Sequence, residues 1–429
     1  MGKTWCRLLL CGAAMAVAAP AFAQVAPEAT DSALGMFDRS RNASVGERPH
    51  PGYDPQPLPL GAFTGLPRID AQAEFNDNIY SQNARKRSDT IFAVTPDFSL
   101  SSHWSRHALN LFARAPMRFY SRTSAENTTD VQGGGSGRID LSTAGSVIAG
   151  GDYGMFHEPR SSPSAASTAS KPVAYNSGNI FLAVQQDFNR VRLSGRVDYN
   201  DLDYKNATDL RGARVLQDDR DHSTTTVGGK VQYALTPAIA LFGATAYNEH
   251  KYRLLPPIAA QNRNSKGSEV NGGADFDLTS LVRGLVQVGY MDQSYAGRFG
   301  HVKGFTGLAR LEWFVTDLTT VTLTGSRNIQ DASAVGSPAY ISEQTALQAD
   351  HELLRNLVLT GRVSYETDKY KVISRSDTVT NAVLAGKYYM NRLFAFNLSY
   401  NYAKLASSGA NAGSRYVDNK ILLGTTLSF

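Results

Sequence analysis

From Pro67 onward, apolar and polar residues take turns along the chain. Val191, Leu193, Gly195, Val197 and Tyr199 fall on one face of a segment whose other face holds Arg192, Ser194, Arg196, Asp198 and Asn200. Residues 357–366 repeat the pattern, with Leu357, Leu359, Gly361, Val363 and Tyr365 against Val358, Thr360, Arg362, Ser364 and Glu366. A third copy sets Phe394, Phe396, Leu398, Tyr400 and Tyr402 against Ala395, Asn397, Ser399 and Asn401. A period of two is the period of a strand, because successive side chains leave opposite faces. One greasy face and one charged face require different solvents on the two sides. A β-sandwich also alternates, but its strands run to about five or six residues, whereas these segments run to roughly ten to fifteen. Aromatic residues gather near the segment ends, as in the girdles that flank a lipid-facing band. Tyr199, Tyr247, Tyr290 and Tyr365 lie toward one end, and Phe314, Phe394 and Phe429 are expected at the other rim.

The connections alternate as well. Short joints recur at 187–190, 235–238, 277–280, 316–319, 352–355 and 390–392. Longer polar connections lie between them, at 157–171, 205–217, 256–267, 331–336 and 406–414. Short turns on one side and long loops on the other match the periplasmic turns and extracellular loops of an outer-membrane barrel. The expected fold is therefore all-β: a transmembrane antiparallel outer-membrane β-barrel of about eighteen strands, from one near Gln72 to one near Leu423. About sixteen is the alternative, because Gly133-Gly134-Gly135 blurs the third to fifth strands, placed near Leu111, Gly134 and Ile148. An even count puts both ends of the chain in the periplasm. In the last strand Ile421, Leu423, Thr425, Leu427 and Phe429 share one face. A closing Phe is how such barrels end, so Phe429 is expected to act as the insertion signal that barrel assembly machinery reads.

The other end of the chain agrees. Lys3 and Arg7 precede a short apolar run, and Ala21-Phe22-Ala23 has the form of a cleavage site, so residues 1–23 read as a secretory signal peptide cut between Ala23 and Gln24. The apolar run is too short to be a membrane anchor. Cys6 and Cys11 both lie in that peptide, so the mature chain would hold no thiol for disulfides, metal sites or catalysis. Residues 24–66, with Pro27, Pro49, Pro51, Pro55, Pro57 and Pro59, read as a flexible Pro-rich periplasmic leader, and the barrel as residues 67–429. The leader could alternatively dock a periplasmic partner.

Composition narrows the function. Mean hydropathy is −0.28, which a barrel tolerates because it shows lipid only every second residue. The net charge of +5 comes from interleaved acids and bases without a dense Lys/Arg run, which speaks against nucleic-acid binding. No catalytic, cofactor or metal constellation stands out. The Gly133–Gly137 region, 133–137, lacks both a phosphate-loop and a nucleophile-elbow spacing. His351-Glu352 falls one residue short of a zinc motif, and Asn76-Asp77-Asn78 is followed by no calcium loop. Asp221-His222 and Asp350-His351 are adjacent in strands and so point apart. An enzyme is not expected. What remains is the lumen, with Arg192, Arg196, Asp198, Arg310, Glu312, Arg362, Glu366 and Asp368 on the polar face. These charges either pair along the wall and stiffen it, or set the field felt by a passing polar solute.

The C-terminal half resembles the putative β-barrel porin type 2 family of outer-membrane proteins. The resemblance is carried by Leu278-Thr279-Ser280-Leu281, by Leu311-Glu312-Trp313-Phe314-Val315-Thr316-Asp317-Leu318, by His351-Glu352-Leu353-Leu354-Arg355 and by Lys387-Tyr388-Tyr389-Met390-Asn391-Arg392. Asp77-Asn78-Ile79-Tyr80 is similar to the family's first strand. Members often accompany exopolysaccharide or capsule synthesis, so the resemblance implies a polysaccharide cargo and a periplasmic polysaccharide export protein as partner. A small-solute uptake porin, with a long loop such as 157–171 folded inward, is one alternative. A structural or adhesive barrel without transport is another.

Overall fold

The computed structural model describes residues 43–162, 164–255, 262–279, 281–332, 334 and 336–429. The signal-peptide reading and its cut between Ala23 and Gln24 lie outside the described residues. Eighteen antiparallel strands form one closed sheet. They are β1 (Phe63–Asn76), β2 (Asp89–Ser102), β3 (Ala108–Arg114 continued by Met117–Tyr120), β4 (Thr128–Thr129 continued by Val131–Asp140), β5 (Gly145–His157) and β6 (Ala174–Phe188). Next come β7 (Val191–Tyr204), β8 (His222–Thr236), β9 (Ile239–Tyr252), β10 (Ser265–Asp277), β11 (Val282–Tyr295) and β12 (Gly300–Thr316). The ring is completed by β13 (Thr319–Asp331), β14 (Ala339–Leu354), β15 (Leu357–Tyr370), β16 (Ser376–Tyr389), β17 (Phe394–Ser408) and β18 (Tyr416–Ser428). Each strand pairs with the next in sequence. The seam is closed by β1 and β18, from Arg68 opposite Ser428 to Asn76 opposite Lys420. The part of β1 that β18 does not reach is covered by the short strand Leu58–Leu60.

Period two alone locates these strands. Outward positions carry the band that lipid covers: Val363 is 55% exposed and Leu423 61%. Positions of the other parity face in, and Arg196 and Glu312 are buried there. Outside the divided β3 and β4, strands run from 13 to 17 residues, lengths suited to a tilted crossing of the bilayer. Among the described residues no helix is long and apolar enough to cross a membrane, so strands alone cross it. Eighteen strands spaced about 4.8 Å apart and tilted by about 40° enclose a ring of roughly 18 Å backbone radius, wide enough for water.

The third and fourth strands, where the pattern is blurred, break for identifiable reasons. Pro116 offers no N–H to the ladder, and β3 stops on either side of it. Gly134 permits a close approach rather than a bend. A Cβ there would stand 2.6 Å from the Cβ of Asp152 and 2.7 Å from the carbonyl oxygen of Gly151 on β5.

One rim assignment is corrected. Phe314 points inward and is 7% exposed, with the Arg283 guanidinium 5.6 Å from its ring centre. It shares its parity with Arg310 and Glu312, so it belongs to the lumen side. Trp313, at 52% exposure, takes the outer place. Phe394 and Phe429 do face outward near this rim.

Candidate functional site: the lumen and its two closures

The short joints named above lie at one end of the barrel and the long connections at the other, where β11 and β12 are also joined by only four residues, 296–299. Ser280 and residues 256–261 fall outside the described residues. With the chain entering β1 and leaving β18 at the short-turn end, that end is the periplasmic one.

The wall charges mostly answer each other. Arg192 donates to both Asp187 carboxylate oxygens, at 2.7 and 2.9 Å. Arg196 donates to Asp198 at 2.6–2.9 Å and lies 4.0 Å from the Phe181 ring. Arg310 donates to Glu312 at 2.7 and 3.0 Å, and Glu312 also holds Arg283. Glu366 accepts from the Ser342 hydroxyl at 2.9 Å and the Gln344 amide at 3.3 Å. Asp368 is buried two positions further up the same face. Arg362 reaches only the Gln348 amide oxygen, at 3.5 Å. Lys387, which alternation alone did not single out, lies over the Tyr389 ring at 4.7 Å. Neither Arg362 nor Lys387 has a carboxylate within ion-pair distance among the described residues. Both face a lumen cavity of about 820 Å³, lined by hydroxyl and amide groups such as Thr322, Thr324, Ser364 and Asn381 and by the carboxylates of Asp350 and Glu366.

The leader closes the periplasmic mouth of this cavity. The sequence suggested a flexible segment, but residues 44–54 lie across the lumen entrance. Glu47 N–H and Arg48 N–H both donate to the Ser44 carbonyl, winding one turn. Val45 is fully buried, and its N–H donates to the Thr320 hydroxyl at 3.1 Å. Glu47 pairs with Arg283 at 2.6 Å, Arg48 with Glu352 at 3.6 Å, and His50 stacks on Tyr389 with ring centres 4.5 Å apart. Burial disfavours the charged form of Glu47, but hydrogen bonds from Arg283 and Ser44 and the nearby charges of Arg283 and Arg310 outweigh it, so its pKa lies below the ordinary value. Burial also holds the His50 pKa down, helped by Lys387 and Arg48 and opposed by Asp54 and Glu352. These anchors have no period, so only their charge could have flagged them.

The loop after β5, described at residues 158–162 and 164–173, closes the extracellular side. Its Ser/Ala-rich middle suggests slackness, but the residues before that run are tightly held. Glu158 accepts from both Nη atoms of Arg220, at 2.9 and 2.8 Å, and from the Ser162 hydroxyl at 3.0 Å. Arg160 grips Glu126 through two bonds of 2.9 and 2.8 Å. Glu158 and Glu126 are each 2% exposed. Ala169 and Val173 pack against Tyr175, Leu202 and Tyr204, and the Tyr416 hydroxyl on β18 donates to the Ser161 carbonyl at 3.4 Å. The loop thus reaches from the β5–β6 edge to the far side of the seam.

The adjacent Asp–His pairs do point apart. Asp221 accepts the Tyr204 N–H at 2.7 Å, while His222 stacks on Tyr252 at 4.7 Å. Asp350 accepts the Thr360 hydroxyl at 2.7 Å, while His351 meets Thr319 at 2.9 Å. A different polar knot lies near the extracellular end: Asp331 takes the Tyr295 hydroxyl at 2.7 Å and stands 2.6 Å from His250 Nδ1.

No curated protein matches the chain. Among solved structures the chain is similar to OccAB3 of Acinetobacter baumannii, at 11% identity and TM-score 0.48, covering 86% of this chain and 100% of that one. It is similar to OpdL of Pseudomonas aeruginosa at 12% identity and TM-score 0.45, covering 86% and 100%. The siderophore receptor PirA of Pseudomonas aeruginosa matches at 9% identity and TM-score 0.45, covering 85% and 80%. The sequence profile described as "Putative beta-barrel porin 2" matches residues 50–429, beginning inside the leader at His50. With a lipid-facing band on all eighteen strands and this match over most of its length, the chain belongs to the putative beta-barrel porin 2 family and is a barrel of the bacterial outer membrane.

Proposed function

We propose that this barrel is a passive channel for exopolysaccharide export, working with a periplasmic polysaccharide export protein and without catalysis of its own. The observation that carries this reading is the lumen wall. Hydroxyl and amide side chains stand there with two cations, Arg362 and Lys387, that make no ion pair among the described residues, and with carboxylates such as Asp350 and Glu366. Such a surface can exchange hydrogen bonds with a sliding sugar chain, and its field favours an anionic one. The leader lies at the mouth where an export partner would engage. The test is deletion of the gene with measurement of secreted polymer. Loss of secretion, restored by the gene in trans, is expected; unchanged secretion would sink the reading.

A second reading, uptake of small polar solutes, is favoured by the anchored inward loop 158–173. Single-channel conductance with added sugars separates the two. A short sugar that crosses while polymer secretion is unaffected favours uptake. A barrel that conducts nothing with either closure loosened would be structural or adhesive.

A further inference from the structure

The periplasmic mouth holds its charges in a chain. Glu47 of the leader pairs with Arg283, Arg283 pairs with Glu312, and Glu312 also takes Arg310. With the leader seated, two guanidinium groups face two carboxylates. Lys387 stands at the same mouth, two residues from the Tyr389 that His50 covers, and Arg362 lies deeper in the wall; neither makes an ion pair among the described residues. Beside the Glu47 carboxylate, the Thr320 hydroxyl holds the leader backbone at Val45. The seat therefore combines a guanidinium that binds a carboxylate with a hydroxyl that binds a neutral polar group, the two kinds of group found together on a uronic acid residue.

We propose that Arg283 and Thr320 form a subsite for the carboxylate of an acidic sugar, and that Glu47 fills it from the leader until polymer arrives. The leader is then a built-in competitor for the cargo's own site. This rests on the channel reading and specifies its cargo as a uronate-bearing chain. Displacement needs no separate energy source, because an entering carboxylate replaces the leaving one on the same guanidinium.

The test uses the full chain in planar bilayers, with sugars added on the periplasmic side. Glu47→Gln, a change confined to the leader, should lengthen the open time of the channel. In that variant trigalacturonate should block the current at roughly tenfold lower concentration than a neutral trisaccharide, the worth of one charge-assisted hydrogen bond. Arg283→Gln, or Arg283→Met where the first does not assemble, should erase most of that preference. Equal block by charged and neutral sugars in a conducting Glu47→Gln channel would overturn the subsite and leave the channel reading standing. Absence of current in both the wild type and Glu47→Gln would overturn the channel reading itself.

Discussion

Glu158→Gln should open the extracellular side of the lumen. The wild-type carboxylate is buried, accepts two bonds from Arg220 and one from Ser162, and leaves Arg220 with its guanidinium 3.9 Å from the Tyr204 ring. An amide in its place accepts at one atom only and leaves the largely buried Arg220 guanidinium with the Gln217 amide oxygen, at 2.8 Å, as its other close acceptor. Breaking one side of a buried pair costs roughly 3–5 kcal/mol, and the surviving hydrogen bond puts this change at about 3. That is about a hundredfold shift toward the released loop. Two measurements report it: single-channel conductance should rise, and trypsin added to intact cells should cut after Arg160, whose next residue is Ser161, far faster than in the wild type. Arg220→Gln alone should do the same. The double variant should be milder than the sum of the two, since no charge is then left buried alone. Wild-type conductance together with wild-type protease resistance in Glu158→Gln would refute the idea that this pair holds the loop.

Three further outcomes follow from the same geometry. Acid should release the leader: Glu47 has a seated pKa below its ordinary 4.5, so its contribution to seating is complete above that value and disappears as pH falls through the seated one. His50, lowered from 6.5, acts in the same direction, so conductance should climb as pH drops from 7, and Glu47→Gln should flatten the lowest part of the curve. Val363→Arg, on the lipid face near the middle of β15, should cost about 2–4 kcal/mol in urea unfolding from liposomes, whereas Ser364→Arg, facing the lumen, should chiefly change ion selectivity. Asp331→Asn should lower stability by about 3 kcal/mol, read in the same unfolding assay, because Tyr295 and His250 both lose a buried carboxylate partner.

The wall of the barrel is legible in the chain because lipid enforces a strict rule at every second residue. Even the blurred third to fifth strands fall where Leu111, Gly134 and Ile148 predict them. Phe314 misleads because its aromatic ring suggests a rim, while its parity with Arg310 and Glu312 places it inside. The two closures obey no period. Glu47, Arg48 and His50 sit in a Pro-rich stretch, and Glu158 and Arg160 sit before a run of small residues. Each finds its partner at long range: 236 residues separate Glu47 from Arg283, and 62 separate Glu158 from Arg220. Local composition cannot reveal such pairs, because what they meet depends on how the ring closes.

The seam between β1 and β18 sets the order of events in making the protein. Every other ladder of the ring can form as soon as two successive strands exist, but this one joins residues as far apart as Asp70 and Thr426, 356 positions on. The loop entropy for such a contact is the largest the chain has to meet, so the seam is the step that waits for all the others. A chain whose seam has not closed would present two sheet edges, the form of a strand protein most prone to pair with its neighbours. The strand Leu58–Leu60 already covers the periplasmic part of one edge. A chain trimmed of that segment should therefore spend its waiting time as an aggregate, and its yield of assembled barrel should depend on periplasmic chaperones more steeply than that of the full chain.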